Sequence, residues 1–200
     1  MIRDQALAVS GLLVEKVGGP SVKPYQPEGL WNEVGGGSAY VQDHGENLYR
    51  RSLYTFWRRS IPPPSMANFD ASARENHMVR PVVTNTPLQA LDLMNDVAYV
   101  EAARVFAQRI VKEGGKTPPE RIGYAFRVAT ARRPKPAEAE ILLNAFRQNE
   151  DRFTSKPEAA LKYVSAGEYP RDNGVDVIEL AAYTSVTSLI LNLHETVMKE

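Results

Sequence analysis

DVIELAAYTSVTSLILNL, residues 176–193, opens on Asp-x-x-Glu and then runs apolar on nearly every side: Val177, Ile178, Leu180, Ala181, Ala182, Val186, Leu189, Ile190 and Leu191. A helix without a polar face has to be covered all round, so the pattern over 177–192 predicts the buried centre of a helical bundle. It does not predict a membrane span. From Leu180 to Leu193 the stretch is about half the length a bilayer demands, and Thr184, Ser185, Thr187, Ser188 and Asn192 interrupt it.

Outward from that helix, the elements that would cover it are announced by caps. Asp176/Glu179, Thr117/Glu120 and Ser155/Glu158 each set a short oxygen side chain three residues before a Glu, the spacing at which two helix-start N–H groups are satisfied reciprocally. Helix 118–131 presents Ile122, Phe126 and Ala129, and helix 136–151, with Pro136 at its start, presents Ile141, Leu142, Ala145 and Phe146, so the two are expected to pair as a hairpin. Thr86-Pro87 opens a short helix through Met94, and Asn95-Asp96 re-caps a second one lined by Tyr99, Ala103, Phe106 and Ile110 up to Gly114-Gly115. At the amino end Ile2, Ala6, Val9, Leu13 and Val17 recur at helical steps, predicting a helix over 2–16 that Gly18-Gly19-Pro20 ends.

Between these helical regions the pattern breaks. From Val17 to Tyr49 the chain holds seven of its 13 glycines, with Pro20, Pro24, Pro27, Tyr25, Trp31 and Tyr40, which reads as a long loop pinned to a core by its rings. Residues 48–59, LYRRSLYTFWRR, place Tyr49, Leu53, Phe56 and Trp57 on one helical face, with Asn47 as N-cap, and Pro62-Pro63-Pro64 then enforces an extended stretch. No period stands out over 65–85. Nothing reads as a hairpin or a βαβ unit. The class is therefore all-α: a helical bundle with a long ordered Gly/Pro/aromatic-rich loop and irregular insertions, one domain over 1–200, loop-rich through 17–85 and helical over 86–200. Because Met1 enters a helical pattern with no capping residue before it, the chain reads as a C-terminal fragment of a longer protein.

Composition narrows the function classes. At 200 residues, 43% hydrophobic and 24% charged, the chain has the make-up of a globular domain. Lys and Arg (24) balance Asp and Glu (24), so no global field draws it to nucleic acid or an anionic membrane. With no cysteine, disulfides, thiol nucleophiles, iron–sulfur sites and a C-x-x-C-H haem attachment are excluded, and no cofactor is expected in this chain. Residues 5–14 have the length of a signal-peptide core, but Asp4, Glu15 and Lys16 flank it, so it reads as a core helix. Asp43-His44-Gly45-Glu46 fits no metal-ligand spacing, and there is no G-x-S-x-G elbow. Gly35-Gly36-Gly37-Ser38 lacks the Lys of a phosphate loop.

The densest polar cluster runs from Arg50 to Arg80, six Arg against Asp70 and Glu75. Guanidinium groups there either grip a carboxylate, sulfate or phosphate, or tie irregular backbone to the core; Arg74, with its five donors, is the candidate anchor for unpaired carbonyls. Seven of the 17 aromatic residues fall between Tyr25 and Trp57, where they either stack on a sugar or close the loop over the core. The candidate ligand-binding set is Trp31, Tyr54, Trp57, Arg58, Asp70, Arg74, Glu75, Arg80 and Asn85.

Several strings carry a family resemblance: GGPSVKPYQPEGLW (18–31), RRSLYTFWRRSIPPPSM (50–66), FDASARE (69–75), TNTPLQALDLMND (84–96), VEAARVFAQR (100–109) and ELAAYTSVTSLILNLHET (179–196). Together and in this order they resemble the Planctomycete secreted-domain family, the C-terminal domain of unknown function fifteen-fifty-three. The resemblance implies an extracytoplasmic location, periplasmic or secreted, and a cytochrome c domain of the parent protein as partner. The family's usual Cys near His77 and Asp at His194 are absent here, which argues against catalytic roles for those histidines. Arg58, Asp70, Arg74, Glu75, Arg80, Asn85 and Gln89 do match. The expectation is a non-catalytic module that acts as a scaffold or binds an extracellular polymer such as a glycan. Its alternative is a carbohydrate-active enzyme using Asp70 and Glu75 as a carboxylate pair, which needs the two groups about 5 to 9.5 Å apart.

Overall fold

The computed structural model describes residues 1–31, 39–58, 60–72, 77, 79 and 83–198. Among them lie nine α-helices: α1 (Ile2–Ser10), α2 (Pro64–Asn68), α3 (Pro87–Asn95), α4 (Val97–Glu113), α5 (Pro118–Thr130), α6 (Pro136–Ser155), α7 (Pro157–Val164), α8 (Val177–Leu191) and α9 (His194–Val197). The described residues form no strand, only isolated bridges, so the all-α class holds. The chain divides into a helical unit, Met1–Leu12 with Leu93–Glu200, and a loop-rich unit, Leu13–Asp92.

In the helical unit α8 packs against α4, α5, α6, α7 and α9, as its all-round apolar surface requires. Leu180, Ala181, Ala182, Tyr183, Val186 and Ile190 have no exposed surface, and they meet Phe106, Ile110, Phe126 and Phe146 in one core. Each such large side chain contributes about 1.5–3 kcal/mol on burial. Leu189 departs from the pattern: it faces solvent at 46% exposure. The Thr187 hydroxyl donates towards the Ala103 carbonyl at 2.8 Å, a polar tie between α8 and α4.

Caps explain most of the boundaries. Asp176 accepts from the N–H groups of Ile178 and Glu179, while the Glu179 carboxylate pairs with Arg121 at 2.5 Å. Thr117 and Glu120 form the expected reciprocal box, and Asp96 caps α4 through the Ala98 N–H. Ser155 does not cap. Its hydroxyl turns back to the Arg152 carbonyl, so α6 runs on to Ser155 and α7 starts after Lys156. The first helix is also shorter than its periodicity suggests. Gly11 adopts φ 86°, and the N–H groups of Gly11 and Leu12 close on Ala8 and Leu7, a left-handed stop that ends α1 at Ser10.

The expected helix over 48–59 does not form among its described residues, 48–58. In the loop-rich unit this segment forms two 3₁₀ turns, Gly45–Tyr49 and Ser52–Tyr54, and then extends. The reason lies in the partner segment. Val22 donates to the Tyr54 carbonyl at 2.8 Å and accepts from Phe56 at 2.7 Å, while Val14 donates to Tyr49 at 3.0 Å. Backbone groups that a helix would satisfy internally are therefore spent on residues 14–22, which have no regular structure of their own to pair with.

Candidate functional site

The residue that organises the loop-rich unit is Arg50, at 2% exposure. Arg50 and Thr55 are both extended, on either side of the second 3₁₀ turn, and the Arg50 side chain lies across the glycine-rich segment. Its Nη2 donates to the carbonyls of Lys16 (3.0 Å) and Gly18 (2.5 Å), and its Nη1 to that of Pro20 (3.1 Å). The guanidinium lies 3.9 Å above the Tyr54 ring, and the Tyr54 hydroxyl accepts the Gly18 N–H at 2.9 Å. A single fork thus ties a stretch in which Gly18 and Gly19 both have positive φ. Tyr54, a sequence candidate for ligand binding, is committed to this internal stack.

Next to it sits a cluster of rings and cations. Trp31, only 8% exposed, meets Tyr40 edge-on at 5.2 Å and Phe56 at 5.8 Å. The Arg58 guanidinium lies 4.8 Å from the Trp31 ring centre, and the Lys23 ammonium lies 5.8 Å from it and 5.4 Å from that of Phe56. Attraction of cations to the ring quadrupole holds both in place. Lys23 is positioned by its own backbone, whose N–H donates to Asp43 Oδ2 at 2.7 Å and whose carbonyl accepts the Asp43 N–H at 2.9 Å. The Tyr40 hydroxyl donates to the Pro24 carbonyl at 2.5 Å. Among the described residues no carboxylate pairs with the Lys23 ammonium, and the Trp31 Nε1 has no acceptor. The structure thus brings Trp31 and Arg58 together; Trp57 is half-buried.

Asp70 belongs to a different group. It adopts φ 57°, a left-handed conformation that Asp tolerates better than most residues. Its carboxylate accepts the Thr84 N–H at 2.7 Å and the Thr84 hydroxyl at 2.8 Å. Buried Gln89 extends the network, donating to the Asn68 carbonyl (2.8 Å) and to Thr84 Oγ1 (3.1 Å), while Asn68 donates to Asp92 at 2.7 Å. These bonds fasten the turn after α2 to the start of α3. Asn85 stands exposed beside them. Arg74, Glu75 and Arg80 lie outside the described residues, and the Asp70–Glu75 pair with them.

Sequence reasoning missed Lys23, Arg50, Tyr40, Phe56 and Thr84. Lys23 had a signal: Pro24 biases it to extended backbone, which aims a long side chain away from the chain path. Arg50 had none, since Arg51 follows it and is exposed. Among the described residues no group of three His, Asp or Glu is placed to hold a metal. Asp43 is engaged by the Lys23 N–H and Glu46 by Lys16 at 3.2 Å. No helix among the described residues is long and apolar enough to cross a membrane.

One family model, described as PSD1, protein of unknown function (DUF1553), matches residues 1–146. No curated protein and no solved structure matches the chain.

Proposed function

We propose, given that this chain belongs to the PSD1 family of proteins of unknown function (DUF1553), that it is a non-catalytic module of an extracytoplasmic, cytochrome-c-linked protein and binds a polymer there, a glycan bearing acid groups. The location and the haem-bearing neighbour rest on the sequence resemblance. The polymer reading is carried by one observation: Lys23 and Arg58 converge on the same indole, 5.8 and 4.8 Å from its centre.

Ring faces are what a neutral sugar stacks on, and at Trp31 the neighbourhood of the ring is taken by the protein's own cations and by Tyr40 and Phe56. What the cluster concentrates on one ring is positive charge, and charged donors suit carboxylate or sulfate oxygens. Half-buried Lys23 loses less water on binding than a free surface lysine and is already ordered, which lowers the entropy cost of engagement.

Isothermal titration against a sulfated, a uronate and a neutral polysaccharide tests the reading. Binding of the acidic polymers, weakened by salt and by Lys23→Gln, is expected. If none of the three binds while circular dichroism shows an intact helical fold, the polymer role fails; equal binding of the neutral one removes the acidic class.

A further inference from the structure

A buried ion pair in the helical unit does something other than fill space. Glu101 and Arg104 on α4 are each 1% exposed and lie 3.6 Å apart. Both reach the same residue of the segment between α7 and α8: Glu101 Oε1 accepts the Tyr169 N–H at 2.6 Å, and Arg104 Nη2 donates to the Tyr169 carbonyl at 2.6 Å. One helical turn further on, Gln108 Oε1 accepts from Arg104 Nη1 and from the Asp172 N–H, both at 3.1 Å. Positions 101, 104 and 108 share one face of α4, so three side chains grip the backbone of a segment that has no secondary structure of its own. Gly167 makes the fit possible. It has φ +80°, and a Cβ there would stand 2.1 Å from the Glu101 carboxyl carbon.

We infer that residues 166–174 form a lid on α4, latched by Glu101, Arg104 and Gln108, that opens as a unit while the bundle stays folded. The floor beneath it is polar. Lifting an apolar segment off an apolar floor forfeits hydrophobic burial, whereas here opening exchanges hydrogen bonds to Tyr169 and Asp172 for bonds to water. The segment carries little apolar surface of its own: Glu168, Tyr169, Pro170, Asn173 and Gly174 are exposed, and Val175, just beyond, is where the core resumes. A latch is also the kind of use that accounts for a buried ion pair, since charge pairs of this sort add little stability over apolar residues of the same size. Open, the lid uncovers a carboxylate and a guanidinium on adjacent turns.

Hydrogen exchange of the intact chain tests this. In the wild type the Tyr169 and Asp172 amides should exchange at least about tenfold faster than core amides of α4 and α8, yet slower than an unprotected chain. Two variants sharpen the test. Glu101→Met with Arg104→Met and Gln108→Leu removes the latch and leaves an apolar face, and Gly167→Ala pushes the segment off the carboxylate with both charges kept. Either should bring Tyr169 and Asp172 to unprotected rates while α8 keeps its protection. The inference is overturned if the wild-type lid exchanges together with α8, if it is unprotected from the outset, or if a folded variant leaves its rates unchanged.

Discussion

Arg50 shows how one side chain can hold an irregular stretch of chain, here Lys16 to Pro20. Three carbonyls and a ring depend on a single buried guanidinium. Arg50→Ala removes three charged donors and a ring contact at once, which should cost about 2–3 kcal/mol. Arg50→Lys should fare little better, because an ammonium cannot reproduce a planar fork over a ring. Exposed Arg51→Ala is the control and should stay within about 0.5 kcal/mol. Urea midpoints of the three variants decide it, and equal midpoints for Arg50→Ala and Arg51→Ala would sink the anchor role. The sequence reading names Arg74 as the anchor of another stretch, the irregular chain before Thr86-Pro87, and Arg74 lies outside the described residues. The chemistry was legible, since irregular backbone needs donors and Arg supplies five. The position was not: six Arg in thirty-one residues look alike until it is known which of them extends across Lys16, Gly18 and Pro20.

At the level of elements, α8 was readable because its composition permits only one environment, and the caps of α4, α5 and α8 were readable because their bonds are local. Boundaries that depend on the backbone or on distant partners were not. Gly11 ends α1 through a left-handed φ that the apolar period cannot reveal, and Ser155 prefers the carbonyl of Arg152 to the N–H groups of α7. Residues 48–59 carry a helical period, yet Val22 claims their backbone. The orientation of α8 gives a direct check. Leu180, fully buried against several helices, should lose about 2–5 kcal/mol on truncation to Ala, and Leu189, 46% exposed, under about 1 kcal/mol. Asp176→Ala removes the acceptor of two N–H groups at the start of the same helix and should cost about 1 kcal/mol. Thermal melts followed by circular dichroism would order the three; a Leu189→Ala loss as large as that of Leu180→Ala would mean that α8 is rotated from the orientation described.

Across the whole molecule, stability should follow pH through carboxylates of the helical unit. Arg132 holds Glu138 down to about 2 and bridges it to Glu195 in α9. The Tyr124 hydroxyl and Arg109 lower Glu113, the Thr117 backbone and hydroxyl lower Glu120, and Lys112 lowers Asp172. A carboxyl whose folded pKa lies below its unfolded value, about 4.3 for Glu and 3.9 for Asp, stabilises the fold fully above that value, and the contribution drains away as pH falls through the folded one. At the alkaline end burial raises Tyr163 and Tyr183, whose stabilisation is complete below about 10 and is lost above it as the unfolded chain ionises. The melting temperature should therefore plateau between about pH 5 and pH 10 and fall on both sides, more gradually on the acid side, where several exposed pairs titrate in succession down to about pH 2. These carboxylates are at the surface, so about 1 M salt should flatten the acid limb while leaving the alkaline one, set by buried rings, in place. Glu138→Gln should flatten that limb as well, even in low salt. An acid limb that ignores both salt and Glu138→Gln would place the acid sensitivity in groups other than the Arg132 bridge.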